Sequence, residues 1–190
     1  MAYLYDSAKI TTLEKFGELA IPPADYGDIN LPGVTSEFNG FDRSPFIASF
    51  HVGSMDILLL NVHSYFGSDS NKKSIERRSL EAYAISRWAD LRRQSKFNYT
   101  PNILALGDFN LPKKVDTDPI YKALRARGLE LPDHSTKIYS NITNDADYDQ
   151  ICFLPGIKNK LTGSSGVFDY DGAIFPAIFN SHTPGEFRAY

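Results

Sequence analysis

Cysteine is nearly absent: Cys152 is the single one in 190 residues, which excludes an internal disulfide and suits a reducing compartment. It lies in an apolar, strand-like run, so a buried and inert thiol is expected. Long apolar runs are missing too. The longest purely aliphatic stretch, Ile57 to Leu60, falls far short of the roughly 20 residues that span a bilayer. The N-terminus has no charged segment followed by an apolar one. No membrane span and no signal peptide are therefore expected, and a cytoplasmic location is. Nor is one sign of charge in excess: a net charge of -3 and a pI near 5.8 give no global attraction to phosphate backbones. Repeats and low-complexity segments are lacking as well. What is present is an apolar fraction of 42% with 13 Phe and 11 Tyr spread from end to end, which excludes a disordered chain. The length fits a single domain over residues 1–190.

Tyr3-Leu4-Tyr5, Asp6 to Lys9 and Ile10 to Leu13 read as strand, turn and strand. The Pro-, Gly-, Asp- and Asn-rich stretch from Ile21 to Asp42 reads as a long loop. Pro45 to Val52 and Met55 to Val62, parted by Gly53-Ser54, predict a hairpin. The consecutive apolar positions Ile57 to Leu60 predict a strand covered on both faces. Lys72 to Lys96 has helical periodicity, with Leu80, Ala84, Trp88 and Leu91 on one face and Ser70 or Asn71 as cap. Its Lys72, Lys73, Arg77, Arg78, Arg87, Arg92 and Arg93 are interrupted by Glu76, Glu81 and Asp90, and read as a solvated face. A short buried strand, Ile103 to Leu106, ends at Gly107. A second helix starts at Asp118-Pro119 and stops at Gly128, with Tyr121, Ala123 and Leu124 inward. Tyr148 to Leu154 predicts a further strand, and Val167 to Phe179 a broken last one before a polar end. The class is α+β.

Three short motifs carry chemistry. Gly107-Asp108-Phe109-Asn110 sets a carboxylate and a carboxamide two residues apart at the end of a buried strand. The carboxylate can bind a hard cation or take a proton from water, and the amide can donate to a phosphoryl oxygen. Taken alone, the same residues also form an ordinary turn. Asn61-Val62-His63 ends another buried strand, with Asn61 and His63 on one face. His63 can serve as a general acid or a phosphate contact, or as a hydrogen-bonded structural residue. Tyr148-Asp149-Gln150 opens a third apolar strand, where Asp149 needs a metal, an imidazole or an arginine as partner unless it lies in a surface turn. Arg43, before Ser44-Pro45, is a candidate phosphate contact or a solvated loop residue.

The order of these features resembles the endonuclease/exonuclease/phosphatase superfamily, which includes pancreatic deoxyribonuclease, abasic-site endonucleases, inositol-polyphosphate phosphatases and sphingomyelinases. It runs from Tyr3-Leu4-Tyr5-Asp6 through Arg43-Ser44-Pro45-Phe46, Leu60-Asn61-Val62-His63-Ser64 and Leu106-Gly107-Asp108-Phe109-Asn110 to Tyr148-Asp149-Gln150-Ile151. The resemblance implies a four-layered α/β/β/α sandwich of two mixed sheets flanked by helices. It also implies a metal-dependent phosphoester hydrolase, of the nuclease or phosphodiesterase/phosphatase class. His63 would act on the scissile phosphate or its leaving group, and Asp108 would orient or deprotonate the attacking water. Asn110 would stabilise the pentacovalent phosphorus, and Asp149 would hold a catalytic imidazole or phosphate-side group. Arg43, Asn61 and Tyr148 would contact substrate. Mg²⁺ or Mn²⁺ is the implied cofactor, with Asp108 as a ligand. The implied partner is a phosphoester, nucleic acid among the candidates.

The departures are specific. The family's opening strand with an asparagine, and the next with a Gln-Glu pair whose glutamate is the main metal ligand, do not precede Tyr3. No closing Ser-Asp-His motif is found: Asn180-Ser181-His182 lacks the aspartate, and no role passes to His182. The chain is therefore expected to be a C-terminal portion of such a domain, weakly active or inactive alone. Self-association through exposed sheet edges is expected with it. The alternative is a catalytically dead module that keeps the fold and holds a phosphorylated partner.

Overall fold

A computed structural model describes residues 2–136, 138–141, 143–168 and 176. Gly53, at a φ of 63°, lets the chain reverse between β2 (Phe46–Val52) and β3 (Met55–His63), the expected hairpin. On the outer side of β2 lies β1 (Ile10–Glu18), antiparallel to it. Its register shifts between Thr12 and Phe16, where Glu14 sits at a positive φ of 56° and forms a bulge. β1 runs well beyond the expected Leu13. Tyr3 to Tyr5 is not a strand; instead the Tyr3 hydroxyl donates to the carbonyls of Phe46 and Leu59, laying the segment against β2 and β3.

After β3 the chain crosses over through α1 (Lys72–Gln94), capped by the Asn71 side chain, and returns as β4 (Ile103–Asp108), parallel to β3. α2 (Pro119–Arg125) follows, with Asp118 as its cap and Pro119 in its first turn as expected. β5 (Asp149–Phe153) then pairs antiparallel with β4. The result is one mixed five-stranded sheet in the order β1-β2-β3-β4-β5, with short 3-10 helices at Pro23–Asp28 and Pro155–Lys160.

Both helices pack on one face of the sheet. There Leu58, Leu60, Ile103, Ala105 and Cys152 meet Ala82, Ile85 and Ala89 of α1 and Ile120, Ala123 and Leu124 of α2. A smaller cluster joins Ile29 and Phe38 of the long loop to Leu80 and Ala84. The expectation that Ile57 to Leu60 is covered on both faces holds on the helix side only; Ile57 and Leu59 stay half-buried on the other. Phe16 and Ile151 stand exposed at 73% and 52%. The structure thus gives the α+β class and a single sheet among the described residues. The expected strand at Val167 to Phe179 and the polar end with His182 fall, except for residues 167, 168 and 176, outside the described residues, and Val167 and Phe168 form no strand. No helix among the described residues is long and apolar enough to cross a membrane.

The reading of the basic stretch needs correction. Lys72, Lys73, Arg77 and Arg93 are exposed and Arg87 and Arg92 partly so, as expected, but Arg78 has no exposed surface, and Glu76, Glu81 and Asp90 are buried with it. The buried stripe runs through Arg78, Glu81, Ala82, Ile85 and Ala89 at helical spacing, so charges share the face that small apolar residues press on the sheet. Leu91, expected inward, is instead 47% exposed.

Candidate active site

Register brings the three motifs together. His63 at the end of β3 pairs with Asp108 at the end of β4, and Asp108 pairs with Asp149 at the start of β5. Neighbouring strands lie roughly 4.8 Å apart, so an imidazole and two carboxylates stand in a row on one edge of the sheet. Gly107 makes the approach possible. Its φ is 129°, and a Cβ there would lie 2.2 Å from the carbonyl oxygen of Val62.

Past Asp108 the chain turns at once. Asp108 Oδ1 accepts the Asn110 backbone N–H at 2.8 Å, the local side-chain bond that aspartate makes in turns. Phe109 is buried in the core, and its N–H donates to the Tyr148 carbonyl at 2.8 Å. Asn110 sits at a positive φ of 49°, is 4% exposed, and donates one Nδ2–H to the Ser64 carbonyl at 2.8 Å. Asn110 is a brace between the ends of β3 and β4 and offers little surface to a ligand.

The acid-base geometry is open. His63 Nε2 and Asp108 Oδ2 are 3.9 Å apart, both partly exposed. That is too long for a direct hydrogen bond and leaves room for a bridging water or substrate oxygen. Partial desolvation, and then the negative charge of Asp108, raise the Asp149 carboxyl from its ordinary value, with Ser140 and His63 opposing.

The other expected contacts are less tightly grouped. Asn61 shares the face of His63 and donates to the Ala2 carbonyl at 3.2 Å. Tyr148 donates its hydroxyl to Asp69 at 3.0 Å and meets the Phe66 ring edge-on. Arg43 is half exposed and pairs loosely with Asp42 at 3.8 Å. Its loop is tied to the site through Glu81, whose oxygens accept the backbone N–H groups of Asp42 and Tyr65, each at 3.0 Å. Burial raises the Glu81 carboxyl above its ordinary value against those two bonds and the nearby Arg77. Glu81, Arg78 and Asp69 escaped the sequence reading. The available signal was that Arg78 and Glu81 fall on the helical stripe of Ala82, Ile85 and Ala89, where a solvated charge does not belong.

Among the described residues no three His, Cys, Asp or Glu side chains gather in a way that could hold a metal ion. One Asp108 oxygen is already engaged by Asn110 and the other faces His63. The described residues therefore offer Asp108 as one donor and not a complete divalent-ion site.

Fold and site together define an α+β protein whose mixed sheet presents an imidazole and two carboxylates at adjacent strand ends. No family model matches the sequence, and no curated protein matches it. Among solved structures, the chain is similar to an endonuclease/exonuclease/phosphatase family protein from Bacteroides thetaiotaomicron, at 18% identity and a TM-score of 0.48, covering 80% of this chain and 53% of that one. It is similar to a mannosyl-6-phosphatase of the same organism at 16% identity and a TM-score of 0.48, covering 80% and 55%. The catalytic domain of human Nocturnin with bound sulfate aligns at 12% identity and a TM-score of 0.46, covering 78% and 49%. The chain spans about half the length of these structures.

Proposed function

We propose that the chain carries the His63, Asp108, Asn110 and Asp149 portion of a metal-dependent phosphoester hydrolase site, of the nuclease or phosphodiesterase/phosphatase class. The observation that supports it is the row of His63, Asp108 and Asp149 across β3, β4 and β5. In this reading His63 protonates the leaving oxygen or contacts the phosphate, and Asp108 orients or deprotonates the attacking water. Asp149 holds a catalytic imidazole or phosphate-side group, and Asn110, one amide hydrogen of which braces Ser64, contributes the other where negative charge develops. Arg43, Asn61 and Tyr148 contact the substrate, a phosphoester with nucleic acid among the candidates.

Dependence on Mg²⁺ or Mn²⁺, with Asp108 as one ligand, belongs to the proposal. So does a second sheet laid over the half-buried face of Ile57 and Leu59, giving four layers in one domain, with a cytoplasmic location. Self-association through that face and exposed sheet edges, of which β1 has no outer strand among the described residues, is the form available to the chain alone.

The test is a panel of DNA, abasic DNA, inositol phosphates and sphingomyelin incubated with the purified chain and Mg²⁺, Mn²⁺ or a chelator. Slow, cation-dependent hydrolysis of at least one substrate, lost in both His63→Ala and Asp108→Asn, is expected. Hydrolysis that persists in both variants refutes the assignment. Phosphate-ligand binding with no turnover by any combination points to a binding module instead.

A further inference from the structure

Arg78 is the one cation of α1 with no exposed surface, yet its charge is not spent on the helix. Nη1 donates to the Asn110 carbonyl at 2.8 Å and to Asp69 Oδ1 at 2.7 Å, and Nη2 donates to the Ser68 carbonyl at 3.1 Å. Asp69 passes the connection on, since its other oxygen accepts the Tyr148 hydroxyl at 3.0 Å. Arg78's acceptors lie beyond two strand ends, and Tyr148, which donates to Asp69, joins a third. Ser68 and Asp69 lie in the loop that leaves His63, Asn110 in the turn that leaves Asp108, and Tyr148 directly before Asp149.

We infer that Arg78 is the positioning residue of this site: one buried guanidinium that fixes the spacing of His63, Asp108 and Asp149 without touching substrate. Three observations support it. The side chain is fully buried, which rules out a solvated charge and a direct contact with ligand. A buried charge needs a partner, and Asp69 supplies one while remaining 42% exposed, so the pair joins the core to the rim of the site. The acceptors are two backbone carbonyls and a carboxylate in separate directions, which a planar fork can serve at once and a lysine ammonium on a flexible stem cannot. The bond to Asn110 is of most consequence. It holds the carbonyl of a residue in the left-handed region, whose own N–H holds Asp108 and whose side chain holds the end of β3.

The inference rests on the proposed hydrolase reading for what the spacing serves, but its structural part is tested without turnover. Arg78→Lys keeps the charge and removes the fork. With Arg87→Lys, an exposed ion pair to Asp28 on the same helix, as control, nitrogen-proton correlation spectra are recorded on the full chain. The backbone and side-chain amide signals of Asn110 and the backbone amide of Tyr148 are expected to move in Arg78→Lys and to stay in place in the control, while signals of Leu58 and Ile103 in the core hold. Asp69→Asn, at a half-exposed position, is expected to move the same signals and decides the matter if Arg78→Lys does not fold. Unmoved Asn110 and Tyr148 signals in the folded variants overturn the inference. If the chain hydrolyses a substrate, Arg78→Lys is expected to lower kcat about 10- to 100-fold with KM held within about twofold, the signature of misplaced rather than missing groups. If no substrate is turned over, the hydrolase reading fails and the spectra still decide the role of Arg78.

Discussion

Replacing Gly107 by alanine tests the idea that close approach of β3 and β4 builds the site. At a φ of 129° an L residue is strained by about 1–3 kcal/mol. The new Cβ would also stand 2.2 Å from the Val62 carbonyl oxygen, where a carbon and an oxygen ordinarily keep roughly 3.3 Å apart. The atom met is backbone, so no side chain can swing aside, and the paired strands must part by about 1 Å with the weakening of at least one ladder hydrogen bond, about 1 kcal/mol. The sum is about 3 kcal/mol, a large share of the roughly 5–15 kcal/mol that holds a domain together. For a chain of this length that is a fall in Tm of roughly 6–12 °C. Urea unfolding followed by circular dichroism gives the free energy, and calorimetry gives the Tm. A loss under about 1 kcal/mol refutes the reasoning, because the strands would then have room for a side chain that the register denies them.

Three further outcomes follow from the same contacts. Asn110→Ala leaves the buried Ser64 carbonyl without its donor and puts a Cβ-only side chain in the left-handed region, an expected cost of about 2–4 kcal/mol; Asn110→Gly loses the bond but not the backbone freedom and should be the milder by about 1 kcal/mol in the same unfolding assay. The Ser36 hydroxyl, with backbone N–H groups of Thr35 and Ser36 and the charge of Lys72, draws the Glu76 carboxyl down from 4.5 to about 2 against the burial that raises it. A lowered carboxylate contributes stability that is fully present above the ordinary value and lost as pH falls toward about 2, so a pH series of Tm should fall less steeply in Glu76→Gln through that window, and parallel curves would contradict this. Ile151→Lys places a charge on the exposed sheet face and should reduce self-association in sedimentation or light scattering, whereas a wild-type chain that is a clean monomer at high concentration removes the premise.

Most of the fold could be read from local pattern, because the apolar runs of β2 to β5 and the caps of both helices are local signals. The order His63, Asp108, Asp149 was legible for the same reason: each residue ends or begins a strand whose apolar stretch marks it. What local pattern could not show was how the strand ends are held. Apolar stripes tell which face of a helix is buried only when the buried face is apolar. On α1 the face carries Arg78 and Glu81 beside Ala82 and Ile85, and the stripe disappears into an ordinary charged helix. The charges are buried because their partners are backbone groups of loops far away in sequence. Glu81 takes the N–H of Asp42 and of Tyr65, and Arg78 takes the carbonyls of Ser68 and Asn110. Loops that end at a sheet edge have no ladder to satisfy their N–H and C=O groups, and a loop buried without such partners loses more than it gains from apolar contact. A helix that buries only hydrocarbon could pack against this sheet equally well but could not hold those groups. The polar residues that obscure α1 in the sequence are therefore the ones that connect the fold to the site. Their removal should loosen Tyr65, Asn110 and Tyr148 before it unpacks the core around Leu58 and Ile103.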